Sequence, residues 1–469
     1  MEFHAWAPLF YFPRRYLKLT TCINNLHYEK FQDGTVKCIE DEIPFEVPEG
    51  WEWARLRDIC MMSAGKSKSS DQIKSEPFQG SYPCFGGNGV RGYVDEYNQD
   101  GIFSIVGRQG ALCGNINIAI GKFYATEHAV VTTLFAGIDF KWSNYILEAL
   151  RLNNYATGAA QPGLSVANIL NVFVPVPPTQ EQDRIGNNVD ESLKFIEALE
   201  QEKIDLQKII IAAKTKILDL AIRGKLVPQD PNDEPASVLL EHIRAEKEEL
   251  IKQGKIKRDK KESVIFKGDD NSYYERVGDI ISNIDDEIPF ELPQNWEWSR
   301  LQTICYPITD GTHKTPTYSD SGYIFLSAKN ITTGKINWND IMYIPKSLHD
   351  ELYSRVSPKM NDILLAKNGT TGVAAIVDRE CEFDIYVTLA LLRVVNNNIS
   401  SQYLLKIIAS DTIQDYFKSS LKGIGVPNLH LEHIRTTLIP IPPINEQNKI
   451  AERIYQYYSL LDSIVQNIE

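Results

Sequence analysis

Apolar residues recur along the chain with helical spacing in two places, and these give the clearest predicted elements. No proline falls between residues 181 and 222, and apolar side chains stand at Ile185, Val189, Leu193, Ile196, Leu199, Leu206, Ile210, Ala213, Ile217 and Leu220. Steps of three and four trace one stripe on a helix. The stripe breaks once, at Lys203, and Gly224 supplies a stop. At ~1.5 Å per residue this helix is on the order of 60 Å long. A second stripe, Ile450, Ile454, Tyr457, Leu461, Ile464 and Ile468, predicts a shorter helix near the end of the chain. Two such stripes can bury each other as a coiled-coil-like pair, so they are packing features first. A charged helix is expected over 237–253. The basic run KIKRDKK at 255–261 follows it and reads as solvated linker or as a phosphate-contacting arm. Residues 223–235, RGKLVPQDPNDEP, are turn-rich, and 262–285 are polar and expected to be flexible.

Around these helices the chain repeats itself. Residues 41–60 read DEIPFEVPEGWEWARLRDIC and residues 286–305 read DEIPFELPQNWEWSRLQTIC, with 14 of 20 positions identical. A second matched pair is VPVPPTQEQDRI at 174–185 and IPIPPINEQNKI at 439–450. The offsets are 245 and 265, so the enclosed segment is 20 residues longer in the second copy. That period is far too long for a solenoid and indicates two homologous halves. Drift after a tandem duplication would erode borders and interiors alike. Shared borders around divergent interiors describe one scaffold presenting two binding surfaces. The predicted fold class is therefore α+β: two homologous mixed α/β domains, 41–178 and 286–443, separated by two long antiparallel helices with approximate two-fold symmetry. A central helix (179–223), a connecting helix and linker (224–285), a C-terminal helix (444–469) and an N-terminal extension (1–40) complete the division.

Composition narrows the function classes. Apolar content of 43% is ample for packed cores. No segment approaches the roughly 18 uninterrupted apolar residues of a spanning helix. The apolar stretch at 5–12 contains Pro8 and precedes Arg14 and Arg15, the reverse of a secretory signal's order. Seven scattered cysteines without a CxxC suit reduced thiols in a cytoplasmic protein, not disulfides or zinc. The net charge of −13 looks wrong for a nucleic-acid binder until it is divided along the chain. Residues 51–174 hold 10 basic and 10 acidic side chains, 296–439 hold 14 and 14, and 175–295 hold 18 and 26. The acid excess lies outside the two domains, and a neutral domain can carry a basic face.

Motifs for chemistry are absent. GNGVRG at 87–92 formally matches a dinucleotide loop, but a proline-containing segment precedes it and YVDEY follows where a helix should start. Thr126-Glu127-His128 could suggest acid–base work, but a lone Glu-His pair usually serves hydrogen bonding in a fold. There is no serine elbow, HExxH, P-loop, or NPPY- or DPPY-type methyltransferase motif. What remains are loops with side chains suited to base edges. Arg91 and Asn88 stand among Gly86, Gly87, Gly89 and Gly92, and Arg108-Gln109 lie between Gly107 and Gly110. Arginine suits guanine, and glutamine or asparagine suits adenine, through paired hydrogen bonds. Lys66, Lys68, Thr126 and His128 complete the first candidate set. The second is Thr312, His313, Lys314, Thr315, Lys329, Asn330, Lys367 and Asn368.

From about His27 onward the chain resembles the specificity subunits of Type I restriction-modification enzymes. The resemblance rests on the paired DEIPFE-WEW openings, the paired PxPP-EQ exits and the central block LAIRGKLVPQDPNDEPASVLLEHIRAEKEELIKQGKIK at 220–257. The first interior (YPCFGGNGVRGYVDEY, IVGRQGALCGNI, ATEHAV) and the second (TDGTHKTPTY, FLSAKNI, DILLAKNGTTG) look like two different types of target-recognition domain. The resemblance implies a non-catalytic chain with no cofactor of its own. Each domain would read one half of a bipartite site in double-stranded DNA, and the helices would fix the unread gap. Two methyltransferase subunits using S-adenosylmethionine, and motor-nuclease subunits using ATP and magnesium, would be its partners. The first 26 residues match nothing in that family. A tandem protein-interaction scaffold with no DNA role explains the helices and the duplication equally well, but not the two interiors.

Overall fold

The computed structural model describes residues 26–31, 33–158, 162–258, 262–395, 398–421 and 427–468. Most of the N-terminal extension and the end of the basic run, 259–261, lie outside the described residues. The chain divides into two compact units between residues 200 and 201.

In the first unit, the opening and the exit of the repeat pair with each other. Glu52–Arg55 runs antiparallel to Phe173–Val176, with Trp53 opposite Pro175. Between them lies a six-stranded sheet in the order Cys60–Ala64, Ala129–Leu134, Gln99–Gly107, Ile116–Ala125, Tyr82–Gly86, Gly89–Val94. All pairings are antiparallel except that of Tyr82–Gly86 with Ile116–Ala125. The helix Phe140–Ala149 covers one face, burying Trp142 and Leu147 against Leu56, Ile59 and Ile169.

The second unit repeats the plan. Glu297–Arg300 pairs with Leu438–Ile441, and Trp298 faces Pro440. Here the interior forms a four-stranded sheet, Cys305–Asp310, Leu389–Val394, Ile363–Ala366, Ala374–Ile376, and a three-stranded one, Met342–Ile344, Tyr323–Leu326, Phe383–Ile385. The helices Ala236–Lys252 and Ser401–Ile408 share one core with Leu218, Ala221 and Ile222, the last turns of the long helix, and with Ile450 and Ile454.

The long helix runs Thr179–Ile222, beginning directly after Pro177-Pro178. Its stripe is not buried along its whole length: Ile210 is buried, whereas Leu193, Ile196 and Leu199 are exposed. The C-terminal helix, Ile444–Ile468, shares a core with the last turns of the long helix through Ile450 and Ile454, and meets it again near Lys214, which pairs with Asp462 and accepts a hydrogen bond from the Tyr458 hydroxyl on its carbonyl at 3.0 Å. The mutual burial expected of the two stripes is therefore confined to the C-terminal part of the long helix, and Leu193, Ile196 and Leu199 stay exposed.

Residues 262–285 correct the expectation of a flexible linker. They form a three-stranded sheet, Ser263–Lys267, Tyr273–Val277 and Ile280–Asn283, which presents Ile265 and Tyr273 to Trp298. A polar surface disguises strands whose turns fall at Asn271 and Gly278, both with positive φ. The sheet has a mirror in the first unit, the hairpin Tyr28–Lys30 and Val36–Cys38. Each delivers one glutamate, Glu29 buried and Glu275 half-buried, to the arginine that ends the Trp-rich motif. Glu29 takes two hydrogen bonds from Arg55, at 2.9 and 2.6 Å, and Glu275 takes two from Arg300, at 3.1 and 2.7 Å. The Arg55 bond holds the Glu29 carboxyl below the usual carboxylate range. Each arginine also reaches a backbone carbonyl before the exit strand, that of Asn171 or of Thr436.

The exit motif has an equally local cause. In both copies its glutamine is buried and bonds in two directions. Gln182 donates to the Pro177 carbonyl and accepts from the Asp139 N–H; Gln447 donates to Pro442 and accepts from Ser400. Asp139 and Ser400 are the N-caps of the covering helices. One side chain therefore fixes the strand-to-helix corner and the start of a second helix. The preceding glutamate differs between copies. Glu446 is buried and accepts from Trp296 Nε1 and Gln229 Nε2, both at 2.9 Å, so the segment after the long helix docks there. The matching Trp51 Nε1 is buried and finds no partner among the described residues.

Candidate nucleic-acid interface

The two interiors share little sequence, yet they build one backbone frame. In the first unit Lys66 N–H donates to the Ala125 carbonyl, Thr126 to Phe85, Arg108 to His128, Gly107 to Asn115, Gly114 to Gly107 and Leu164 to Arg108. In the second, Thr312 donates to Ile385, Tyr386 to Leu326, Lys367 to Thr388, Ala366 to Val373, Gly372 to Ala366 and Leu429 to Lys367. The strand partners agree, since Phe85 lies beside Ala125 and Leu326 beside Ile385, both in parallel pairs. One extra residue after Cys305 is absorbed by a register shift between Cys305 and Ile308. The frame brings four loops to one end of each domain.

A glycine makes the crossing possible in both. A Cβ on Gly65 would lie 2.0 Å from the Ala125 carbonyl oxygen, and one on Gly311 would lie 1.8 Å from that of Ile385. Only glycine lets the backbones approach so closely. The frame then sets Arg108-Gln109-Gly110 and Lys367-Asn368-Gly369 at matching positions, each ending on a glycine with positive φ.

In the first unit seven of the eight predicted side chains are at least partly exposed. Lys66, Asn88, Arg91, Arg108 and Gln109 are exposed, and His128 is half-buried. Asn88 accepts from Asn115 Nδ2 at 2.6 Å, and Arg91 donates to Ser70 at 2.8 Å. Lys68 pairs with Glu96 at 2.7 Å and lies over the Tyr124 ring, which leaves it half-buried. The eighth, Thr126, turns inward: it is fully buried and its hydroxyl donates to the Phe85 carbonyl.

In the second unit His313, Lys314, Thr315 and Lys329 are exposed, and Thr312 and Asn368 are half-buried. Two predicted residues instead serve the frame. Asn330 is buried and joins the Ser327 N–H to the Asp340 carbonyl. Lys367 is buried with its ammonium 2.5 Å from Asp310, which His313 approaches at 3.4 Å. A residue-type argument cannot see this, because the partner carboxylate is 57 positions away. Sequence reasoning also missed the loops ending in Leu164 and Leu429. Their signal was present: Pro162-Gly163-Leu164 and Pro427-Asn428-Leu429 stand at the same 265-residue offset as the exit motifs.

Comparison with known proteins agrees with this doubled frame. The family model described as Type I restriction modification DNA specificity domain matches twice, over residues 48–208 and 293–469. The EcoAI specificity subunit of Escherichia coli, a Type I restriction enzyme subunit, is 26% identical over 489 residues, covering 88% of this chain and 78% of that protein. The EcoEI specificity subunit of the same organism is 24% identical, covering 94% and 83%. Among solved structures, the HsdS subunit from Thermoanaerobacter tengcongensis aligns with a TM-score of 0.52 at 13% identity, over 91% of this chain and 94% of that one.

Proposed function

The chain belongs to the Type I restriction modification DNA specificity domain family, and from that premise we propose that it is the sequence-reading subunit of a Type I restriction-modification complex. Each domain reads one half of a bipartite site in double-stranded DNA, and the long helices set the unread gap. The observation that carries this reading is the frame built twice with different outward side chains. A duplicated catalytic site would keep its reacting groups, whereas a duplicated reader is free to change them. Lys66, Lys68, Asn88, Arg91, Arg108, Gln109 and His128 form the first reading set, and Thr312, His313, Lys314, Thr315, Lys329 and Asn368 the second. Arginine and lysine anchor phosphate or guanine, and amides address adenine.

The chemistry then belongs to partner chains: two methyltransferase subunits that use S-adenosylmethionine, and motor-nuclease subunits that use ATP and magnesium. Exposed apolar positions on the helices, Leu193, Phe195, Ile196, Leu199, Tyr455 and Leu460 among them, supply apolar surface of the kind partner subunits cover. No described helix is long and apolar enough to cross a membrane.

Co-expression with its methyltransferase subunit in a methylation-free host, followed by genome-wide mapping of modified adenines, tests the function. A two-part motif with a fixed gap is expected. A stable complex that adds no methylation, and shifts no DNA at low salt, would leave only a protein scaffold.

A further inference from the structure

Taking the DNA-reading function as given, we infer that Gln109 and Asn368 are matched base-reading residues, each pairing with an adenine edge in its own half-site.

The two residues occupy one position of the shared frame. Each follows a residue whose backbone is bonded on both sides to other loops. Arg108 N–H donates to His128 at 2.9 Å and its carbonyl accepts from Leu164 at 2.8 Å; Lys367 N–H donates to Thr388 at 2.9 Å and its carbonyl accepts from Leu429 at 2.8 Å. Each is followed by a glycine in the left-handed region, Gly110 at φ +94° and Gly369 at φ +75°. Gln109 gains a further bridge to Gly163. The backbone beneath each side chain is therefore fixed before any ligand arrives, which lowers the ordering cost of binding.

The side chains themselves have no internal task. Gln109 is exposed and Asn368 half-buried, and neither carboxamide has a hydrogen-bond partner among the described residues. At the surrounding matched positions the functional group changes: lysine to threonine at 66 and 312, arginine to a buried, paired lysine at 108 and 367, histidine to threonine at 128 and 388. At 109 and 368 the carboxamide is kept and only its length differs. A carboxamide offers a donor and an acceptor in one plane, which matches the N6 amino group and N7 of adenine. An unpaired amide held at the tip of a pinned turn thus has the chemistry of an adenine reader.

The test is the methylome of variants, read as the base preference at each position of each half-site. Gln109→Ala is expected to relax one adenine in the first domain's half-site, by on the order of tenfold to a hundredfold, and to leave the other half-site intact. Asn368→Ala should do the reverse. Gln109→Asn and Asn368→Gln should keep adenine at those positions, and Gln109→Arg should shift the preference towards guanine. Unchanged motifs in both alanine variants would overturn the assignment. So would loss of methylation and DNA binding by every variant, conservative ones included, because the turns would then be folding elements. If the unaltered chain directs no methylation, the DNA-reading function itself fails, which is a separable result.

Discussion

At the level of single side chains, the arginines that end the Trp-rich motifs dominate, Arg300 buried and Arg55 half-buried. Arg55→Met leaves Glu29, 2% exposed, without its principal partner. Removing one member of a buried pair costs about 3 kcal/mol, so the melting temperature of the first unit should fall clearly, and Arg300→Met should act likewise on the second. Glu446 gives a pH signature. Burial lifts its carboxyl to about 7, with the nearby Asp233 adding to the effect and the Trp296 N–H, Lys449 and Gln229 opposing it. Between the ordinary carboxylate range and about 7 the folded chain holds this proton and the unfolded chain does not. The stabilisation it brings is complete below that window and is lost as the pH rises through it. Glu446→Gln keeps an acceptor for Trp296 and cannot ionise. Its melting temperature relative to the unaltered chain should therefore rise between pH 5 and pH 8, and a constant difference would refute the account.

Between elements, two small features hold the design. Gln447→Ala strands the Ser400 N–H and the Pro442 carbonyl in a buried corner, a loss of about 3 kcal/mol. Hydrogen exchange should quicken at the start of the C-terminal helix and in Ser401–Ile408 together, which separates a shared clamp from simple fraying. Gly311→Ala drives a methyl group against the Ile385 carbonyl. The frame of the second domain should open there while the first keeps its half-site, a contrast that methylation mapping reads directly. The opening and exit motifs were legible as a duplication because their buried tryptophans, prolines and glutamines answer to neighbours that the repeat also duplicates. The frame between them was not legible, because backbone hydrogen bonds ask only for an N–H and a carbonyl. Gly65 and Gly311 are its main trace in the sequence.

Across the molecule, modularity follows from the way each interior is enclosed. Opening and exit strands pair with each other, so the segment between them is closed off as a unit that is tied to the helices at Asp139 and Ser400. Replacing residues 51–174 with another recognition domain should alter one half-site and leave the second half-site and the gap unchanged. A change in both halves would show that the readers are coupled.

The sequence alone determined the duplication, the long helices and the residue types offered to DNA, because periodicity and repeated motifs are properties of the chain in one dimension. It also placed most of the outward-facing candidates. Which of them are free was decided only in three dimensions. Thr126, Asn330 and Lys367 have the right chemistry but spend it on Phe85, Asp340 and Asp310, since a buried polar group must find a partner wherever the fold supplies one. The identity of the two frames was hidden because it depends on pairings between residues far apart in the chain, which no local pattern records, whereas the strands of 262–285 pair locally and were masked by their polar face.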